Sequence, residues 1–303
     1  MEIDGLLKPW NRNWSARGFQ SVRKWRHDGG ARRDSPLRGG PAPDMRGPAG
    51  NGRPHVRGCP VSSVETNRRL EVLGTFHLSE QNRPIIIDRP SCRRLLALLA
   101  VRGSQHRSVA AETLWPLLSD KRSLGNLRGV IWRLRQHENS LLGEDSGYIS
   151  LRDVDIDFDE AMTWCHRALE GDAGPPPPGI DRDLLPGWVD TWLITEREDF
   201  HLLRVYALES AARTLLRAGR TGAACRVAAI AAGLDPLRES AVRLLIEISL
   251  HEDNIVAAIR QFERFAELLH TEIDAEPSSE LTALVSHLVD VRNHAHPGAR
   301  RHP

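Results

Sequence analysis

The stretch that decides the reading of this chain is 119-SDKRSLGNLRGVIWRLR-135. Placed on a helix, Leu124, Leu127, Ile131 and Leu134 recur at i, i+3, i+7 and i+10, the stripe a helix turns toward a core. Roughly opposite run Arg122, Asn126, Gly129 and Arg133, with Arg128 and Arg135 on the shoulders. Guanidinium forks and a side-chain amide match phosphate oxygens and the edges of guanine and adenine. A glycine inside a helix is less favourable than alanine by roughly 1 kcal/mol, so Gly129 amid the polar face marks a surface that something approaches closely. Two readings stand at this level: a helix that reads DNA, or a surface helix whose basic face is merely solvated. The flanking sequence separates them.

Upstream, 69-RLEVLGTFHLSEQNRPIIIDR-89 alternates at Leu70, Val72 and then at Phe76, Leu78, which predicts two or three short strands with a turn at Glu80-Gln81-Asn82. Ser91 precedes 92-CRRLLALLAVRG-103, a compact apolar helix stopped by Gly103. Ser108 is placed to cap a second helix, 109-VAAETLWPLL-118, which Pro116 ends or kinks. Downstream, 141-LLGEDSGYISLRDVDID-157 offers two strands around the turn Glu144-Asp145-Ser146-Gly147. Strands, three helices and a hairpin are the parts of a winged helix-turn-helix, in which the third helix enters the major groove.

Beyond Phe158 the pattern is helical. One helix is expected over 158–169, and PPPPG at 175–179 is a stiff spacer. LLPGWVDTW then leads into a long helical stretch to Ala218, followed by two further helix pairs. Ala223-Ala224 and Ala257-Ala258 lie 34 residues apart, each shortly after a turn (Ala218-Gly219-Arg220 and Glu252-Asp253-Asn254). A 34-residue period with small residues at the tightest helix contact is the tetratricopeptide signature. Asp235-Pro236 and Glu276-Pro277 punctuate the two units.

The expected architecture is therefore an α+β winged helix-turn-helix domain followed by an all-α tetratricopeptide-like domain. Its divisions are a disordered Gly/Pro/Arg-rich extension over 1–66, the winged helix over 67–156, the helical domain over 157–292 and a disordered tail over 293–303. Within the extension, GGARRDSPLRGGPAPDMRGPAGNGRP buries too little apolar surface to offset its ordering entropy, although Trp10, Trp14 and Trp25 are unusual there.

Charge and composition narrow the function. The formal net charge is +1, but 12 Lys/Arg against 6 Asp/Glu up to Thr66 and a mildly acidic C-terminal half hide behind that average. Phosphate feels charge within about 8 Å in physiological salt, so local excess is what counts. Cys59, Cys92, Cys165 and Cys225 form no Cys-x-x-Cys pair, which argues against a structural zinc site or a disulfide scaffold and fits reduced cytoplasmic thiols. No apolar run reaches the ~20 residues of a membrane span, and the N-terminus lacks a signal-peptide core. His251-Glu252-Asp253 and His294-Ala295-His296 lack metal-site spacing, and there is no nucleophile elbow or Gly-rich phosphate loop. No enzyme activity, cofactor or metal is expected.

These segments together resemble the SARP/AfsR-type bacterial transcriptional activators, which join an OmpR-like winged helix to a bacterial transcriptional activator domain. The carriers are RLEVLGTFHL, CRRLLALLAVRG and VAAETLWPLLSDKRSLGNLRGVIWRLR, then LLPGWVDTWLITERE, LDPLRESAVRLLIEISL and EIDAEPSSELTALV, covering about residues 68 to 287. The short, two-domain form is the one resembled. The resemblance implies a sequence-specific activator on promoter direct repeats that helps RNA polymerase engage, acting as a homodimer on double-stranded DNA near the nucleoid. It carries base reading onto Asn126, Arg128, Arg133 and Arg135, with Arg122 added from the helical face. Arg107, Lys121 and Trp132 are the candidate phosphate-backbone contacts. Trp132 is equally placed to pack against the wing, and Trp115 and Trp188 are expected in core or inter-domain packing. Two features depart from the family: Glu144-Asp145 puts negative charge at the wing, and the extension to Thr66 suggests a start at Val61 or Val64. The acidic wing keeps a second reading open, a protein-interaction adaptor whose winged helix no longer binds DNA.

Overall fold

A computed structural model describes residues 68–137, 141–172 and 174–286. The expected disordered extension and tail, with Trp10, Trp14, Trp25, Cys59 and the alternative starts, lie outside the described residues.

Strand β1 (Arg68–Glu71) pairs antiparallel with β2 (His77–Glu80), Leu70 opposite Leu78, so the alternating apolar positions face one core. The turn to β3 (Arg83–Pro84) is made by Gln81 and Asn82, both at positive φ, the geometry of a tight two-residue hairpin. Helix α1 (Pro90–Arg102) starts on a proline and ends at Gly103, whose φ of 74° lets the chain leave abruptly. Leu95, Leu96, Leu98 and Leu99 are all buried, so α1 is enclosed on nearly every side.

A short β4 (Gln105–His106) leads into α2 (Arg107–Leu114). Ser108 is not its cap: the chain enters the helix earlier, and the His106 ring accepts from the Ser108 N–H instead. Likewise Arg89, not Ser91, stands at the cap of α1. Trp115 closes α2 just before Pro116. Helix α3 (Asp120–His137) follows, then the hairpin β5 (Leu142–Asp145) and β6 (Tyr148–Leu151), turned at Ser146 and Gly147. Strands order β4-β6-β5 in this sheet. Three helices, an N-terminal sheet and a wing make the winged helix-turn-helix.

Strand β7 (Val154–Ile156) then returns to the first sheet, parallel to β1, giving the order β3-β2-β1-β7. Helix α4 (Asp157–Leu169) begins at once, and the Asp157 carboxylate accepts from the backbone of Val72 at 2.9 Å and Leu73 at 3.0 Å. The remaining helices are α5 (Thr191–Arg217), α6 (Thr221–Leu234), α7 (Glu239–His251) and α8 (Ile255–Ile273), and residues 279–286 are again helical. The 34-residue echo relates α6 to α8, whose Ala224 and Ala258 are fully buried. The pairs are α5/α6 and α7/α8: the long helix is itself the first member of a repeat rather than a lead-in to two later pairs.

The segment joining the two parts is pinned. Leu73 bridges to Leu184, the Gly74 N–H donates to Asp183 O at 2.7 Å, and Phe76 stacks on Trp188 at 5.8 Å. Arg204, only 2% exposed, donates to Arg182 O at 2.5 Å and Asp183 Oδ1 at 2.7 Å. Arg197 donates to the carbonyls of Leu184 (2.7 Å), Leu185 and Trp188 (3.0 Å). Guanidinium forks satisfy carbonyls that a buried loop would otherwise leave unpaired. Arg94 to Asp190 and Arg102 to Glu196 (2.6 Å) tie α1 to the start of α5.

Candidate nucleic-acid interface

Helix α3 is amphipathic as its sequence requires. Leu127, Val130, Ile131 and Leu134 are buried with Ser123, and Leu124 is half-buried. Val130 and Ser123 extend the anticipated stripe, which shifts the outward direction. The exposed set is Asp120, Lys121, Arg122, Gly125, Asn126, Arg128, Trp132, Arg135 and Gln136. At 100° per residue its centre lies along Lys121, Gly125, Arg128 and Trp132, with Arg122 and Asn126 on one flank and Arg135 on the other. Trp132 is 62% exposed and stands on this ridge instead of packing against the wing.

Arg133 falls between Arg122 and Asn126 on the same flank but does not share their exposure. It is half-buried, and its guanidinium folds back over the preceding turn, with Nη2 3.4 Å from where a β-carbon on Gly129 would sit. Gly129 therefore makes room for Arg133. Arg133 also lies close enough to α1 to oppose, electrostatically, the upward push that burial gives the Cys92 thiol. The open position on the ridge is Gly125, around which no atom comes within 4 Å of an added β-carbon.

Below the ridge, the start of α2, the last turns of α3 and the wing converge on one carboxylate. Glu144 pairs with Arg107 and, at 3.1 Å, with Arg135. The Arg107 N–H donates to Gly147 O at 2.9 Å, and the His106 ring meets Tyr148 edge-on at 5.3 Å. Strand β4 completes the dock, Gln105 opposite Ile149 and His106 opposite Tyr148. Of the predicted residues, Lys121, Arg122, Asn126, Arg128 and Trp132 share the open surface, Arg107 and Arg135 are engaged with Glu144, and Arg133 is drawn toward the core. Sequence reasoning missed the role of Glu144, although one signal was present. Across the hairpin Glu144 stands opposite the buried Ile149, and directly opposed residues of an antiparallel pair share a face. Glu144 thus turns inward, and Asp145 alone of the two sits at the exposed tip.

Charge is divided between the two parts. Residues 68–156 carry 14 Lys/Arg against 10 Asp/Glu, whereas residues 157–286 carry 12 against 23, a sharper acidity than overall composition suggested. No helix among the described residues is long and apolar enough to cross a membrane, and no group of three or more His, Cys, Asp or Glu among them is placed to hold a metal ion.

Residues 152–288 match the family model of the bacterial transcriptional activator domain. No curated protein matches the chain. Among solved structures, one described as Mycobacterium tuberculosis EmbR in complex with low affinity phosphopeptide shares the fold, with a TM-score of 0.54 at 16% identity over 74% of this chain and 65% of that chain. The helical part thus carries a bacterial transcriptional activator domain directly behind a winged helix, and the chain spans just under two thirds of the solved structure whose fold it shares.

Proposed function

We propose that this protein is a sequence-specific DNA-binding transcriptional activator that docks α3 in the major groove of promoter DNA. The observation that carries this reading is the outward ridge of α3, where Lys121, Arg122, Asn126 and Arg128 are all exposed around an open glycine. Arg122, Asn126 and Arg128 are the base readers, with Arg133 and Arg135 at the edge of the footprint. Lys121, Arg107 and Trp132 meet the sugar-phosphate backbone and set register. Two protomers bind promoter direct repeats side by side about one turn apart, and the helical part offers RNA polymerase a second contact in the cytoplasm. The division at 156/157 into a DNA-binding and a regulatory part belongs to this proposal. The adaptor reading rested on the acidic wing, and the pairing of Glu144 with two arginines weakens that ground.

The test is binding of the full chain to fragments of its own genome, followed by anisotropy titration on the selected sequence. Expected is a Kd far below that for scrambled DNA, with log K falling about 0.9 per neutralised phosphate as log salt rises. Equal, weak affinity for every fragment at low salt would remove the DNA-binding assignment.

A further inference from the structure

Glu144 is a carboxylate placed where a DNA-binding surface has least use for one. It lies between Arg107 and Arg135, yet its side chain is only 22% exposed while those of Arg107 and Arg135 are 36% and 43% exposed. The arrangement is constructed from three separate elements. The start of α2 supplies Arg107, the end of α3 supplies Arg135, and β5 supplies Glu144 in the register that turns it inward beside Ile149. The backbone bond from Arg107 to Gly147 holds the wing turn against the same point.

From this geometry, and resting on the DNA-binding reading above, we infer that Glu144 is a discrimination residue: it holds Arg107 and Arg135 in one fixed pair and restrains them from capturing phosphate outside the docked geometry. A guanidinium on a flexible stem binds any phosphate within reach, so two free ones raise affinity for all duplexes alike. Paired to one carboxylate, the cluster carries a net single positive charge, and each guanidinium keeps N–H donors for a phosphate only along the directions its ion pair leaves open. The restraint lowers affinity for random DNA more than affinity for the target, where base contacts place the backbone correctly. Specificity is a difference of two affinities, and repulsion aimed at the wrong partner raises it.

The experiment compares full-length protein and its Glu144→Gln variant on the selected promoter duplex and on a scrambled duplex, by anisotropy over a salt series. Gln keeps the shape and one acceptor while removing the charge. Expected are about 5- to 10-fold tighter binding to scrambled DNA, less than about 3-fold change on the promoter, and a salt slope steeper by up to about 0.9. Asp145→Asn is the control. Asp145 is one residue further along the exposed tip, with a contact from the Ser146 hydroxyl, and its change should stay within about 2-fold on both duplexes. Arg135→Gln reads the same cluster from its other side and serves should Glu144→Gln lose its cooperative melting transition: affinity for the promoter falls more than affinity for scrambled DNA, so their ratio narrows, and equal losses on both duplexes would overturn the inference. An unchanged ratio in Glu144→Gln, weaker binding to scrambled DNA, or an equal gain in Asp145→Asn would overturn the inference. Failure of the unmodified protein to prefer any duplex would instead remove the DNA-binding reading itself.

Discussion

Arg128 and Arg133 separate what a helical projection gives from what packing decides. Both are arginines on one helix, and spacing alone put Arg133 on the DNA face and Arg128 at its shoulder. The burial of Val130 rotates that face, so that Arg128 stands on the ridge, whereas Arg133, on the same flank as the exposed Arg122 and Asn126, folds its guanidinium over Gly129. A projection from four apolar positions fixes the face only to within one residue's turn. The missing information was which small or branched residues the neighbouring helices would accept, and this depends on tertiary contacts. Arg128→Ala should therefore weaken promoter binding by about 1–3 kcal/mol and relax base preference. Arg133→Ala should lose less affinity and lower the melting temperature, because a side chain packed along the helix leaves with it. Anisotropy and calorimetry on the two variants check this; a greater DNA defect in Arg133→Ala would restore the original projection.

At the scale of elements, boundaries were mostly legible and caps were not. Gly103 and the Ser146-Gly147 turn stop their segments by taking up positive φ, and Pro116 by restricting the backbone, signals that act locally whatever the neighbours. The starts of α1 and α2 escaped because Arg89 caps by position alone and His106 through its imidazole, without the usual short hydroxyl or carboxylate side chains. Glycine on α3 gives a two-sided prediction. Gly125→Ala adds a methyl into open space and removes a helix-interior glycine, so the fold should gain about 0.5–1 kcal/mol. Promoter affinity should fall in the same variant, since the proposed docking brings a duplex nearest at this point of the ridge. Gain in melting temperature with undiminished DNA binding would show that the groove is not met at Gly125. Helix α4 supplies a pH signature. Burial holds the His166 imidazole below its usual pKa, with Glu170 opposing that shift. The folded state thus prefers the neutral ring. Its contribution is complete above the unfolded value near 6.5 and is lost as pH falls through that value toward the lower folded one. Thermal stability should drop from pH 7.5 to 5.5, and His166→Gln should flatten the part of that drop due to this ring; a pH profile identical in both proteins would rule it out.

At the scale of the molecule, a winged helix and a helical repeat array were readable as separate units from their different periodicities, but their shared core was not. Long-range pairing carries no local signature: nothing in DVDID announces that Val154 to Ile156 will lie parallel to β1, or that Asp157 will accept from Val72 and Leu73. Asp157 also illustrates the competition at such a junction, since burial raises its pKa while three backbone N–H groups, those of Val72, Leu73 and Phe158, pull it down. A cut after Ile156 falls between β7 and this carboxylate. It would strand two buried N–H groups at roughly 1–3 kcal/mol each, strip Trp188 from Phe76, and bare the face of α1 that α4 covers. Against a domain stability of about 5–15 kcal/mol, those losses take most of the total. The fragment 68–156 should consequently show no cooperative thermal transition by circular dichroism, whereas 68–286 melts as one unit. Restoring residues 157–190 should recover part of the transition, because Asp157, Leu184 and Trp188 return together. A fragment 68–156 that melts cooperatively within a few degrees of the longer chain would mean the two parts fold independently, and that strain or ligand binding in the helical repeats has no route through this junction to the wing.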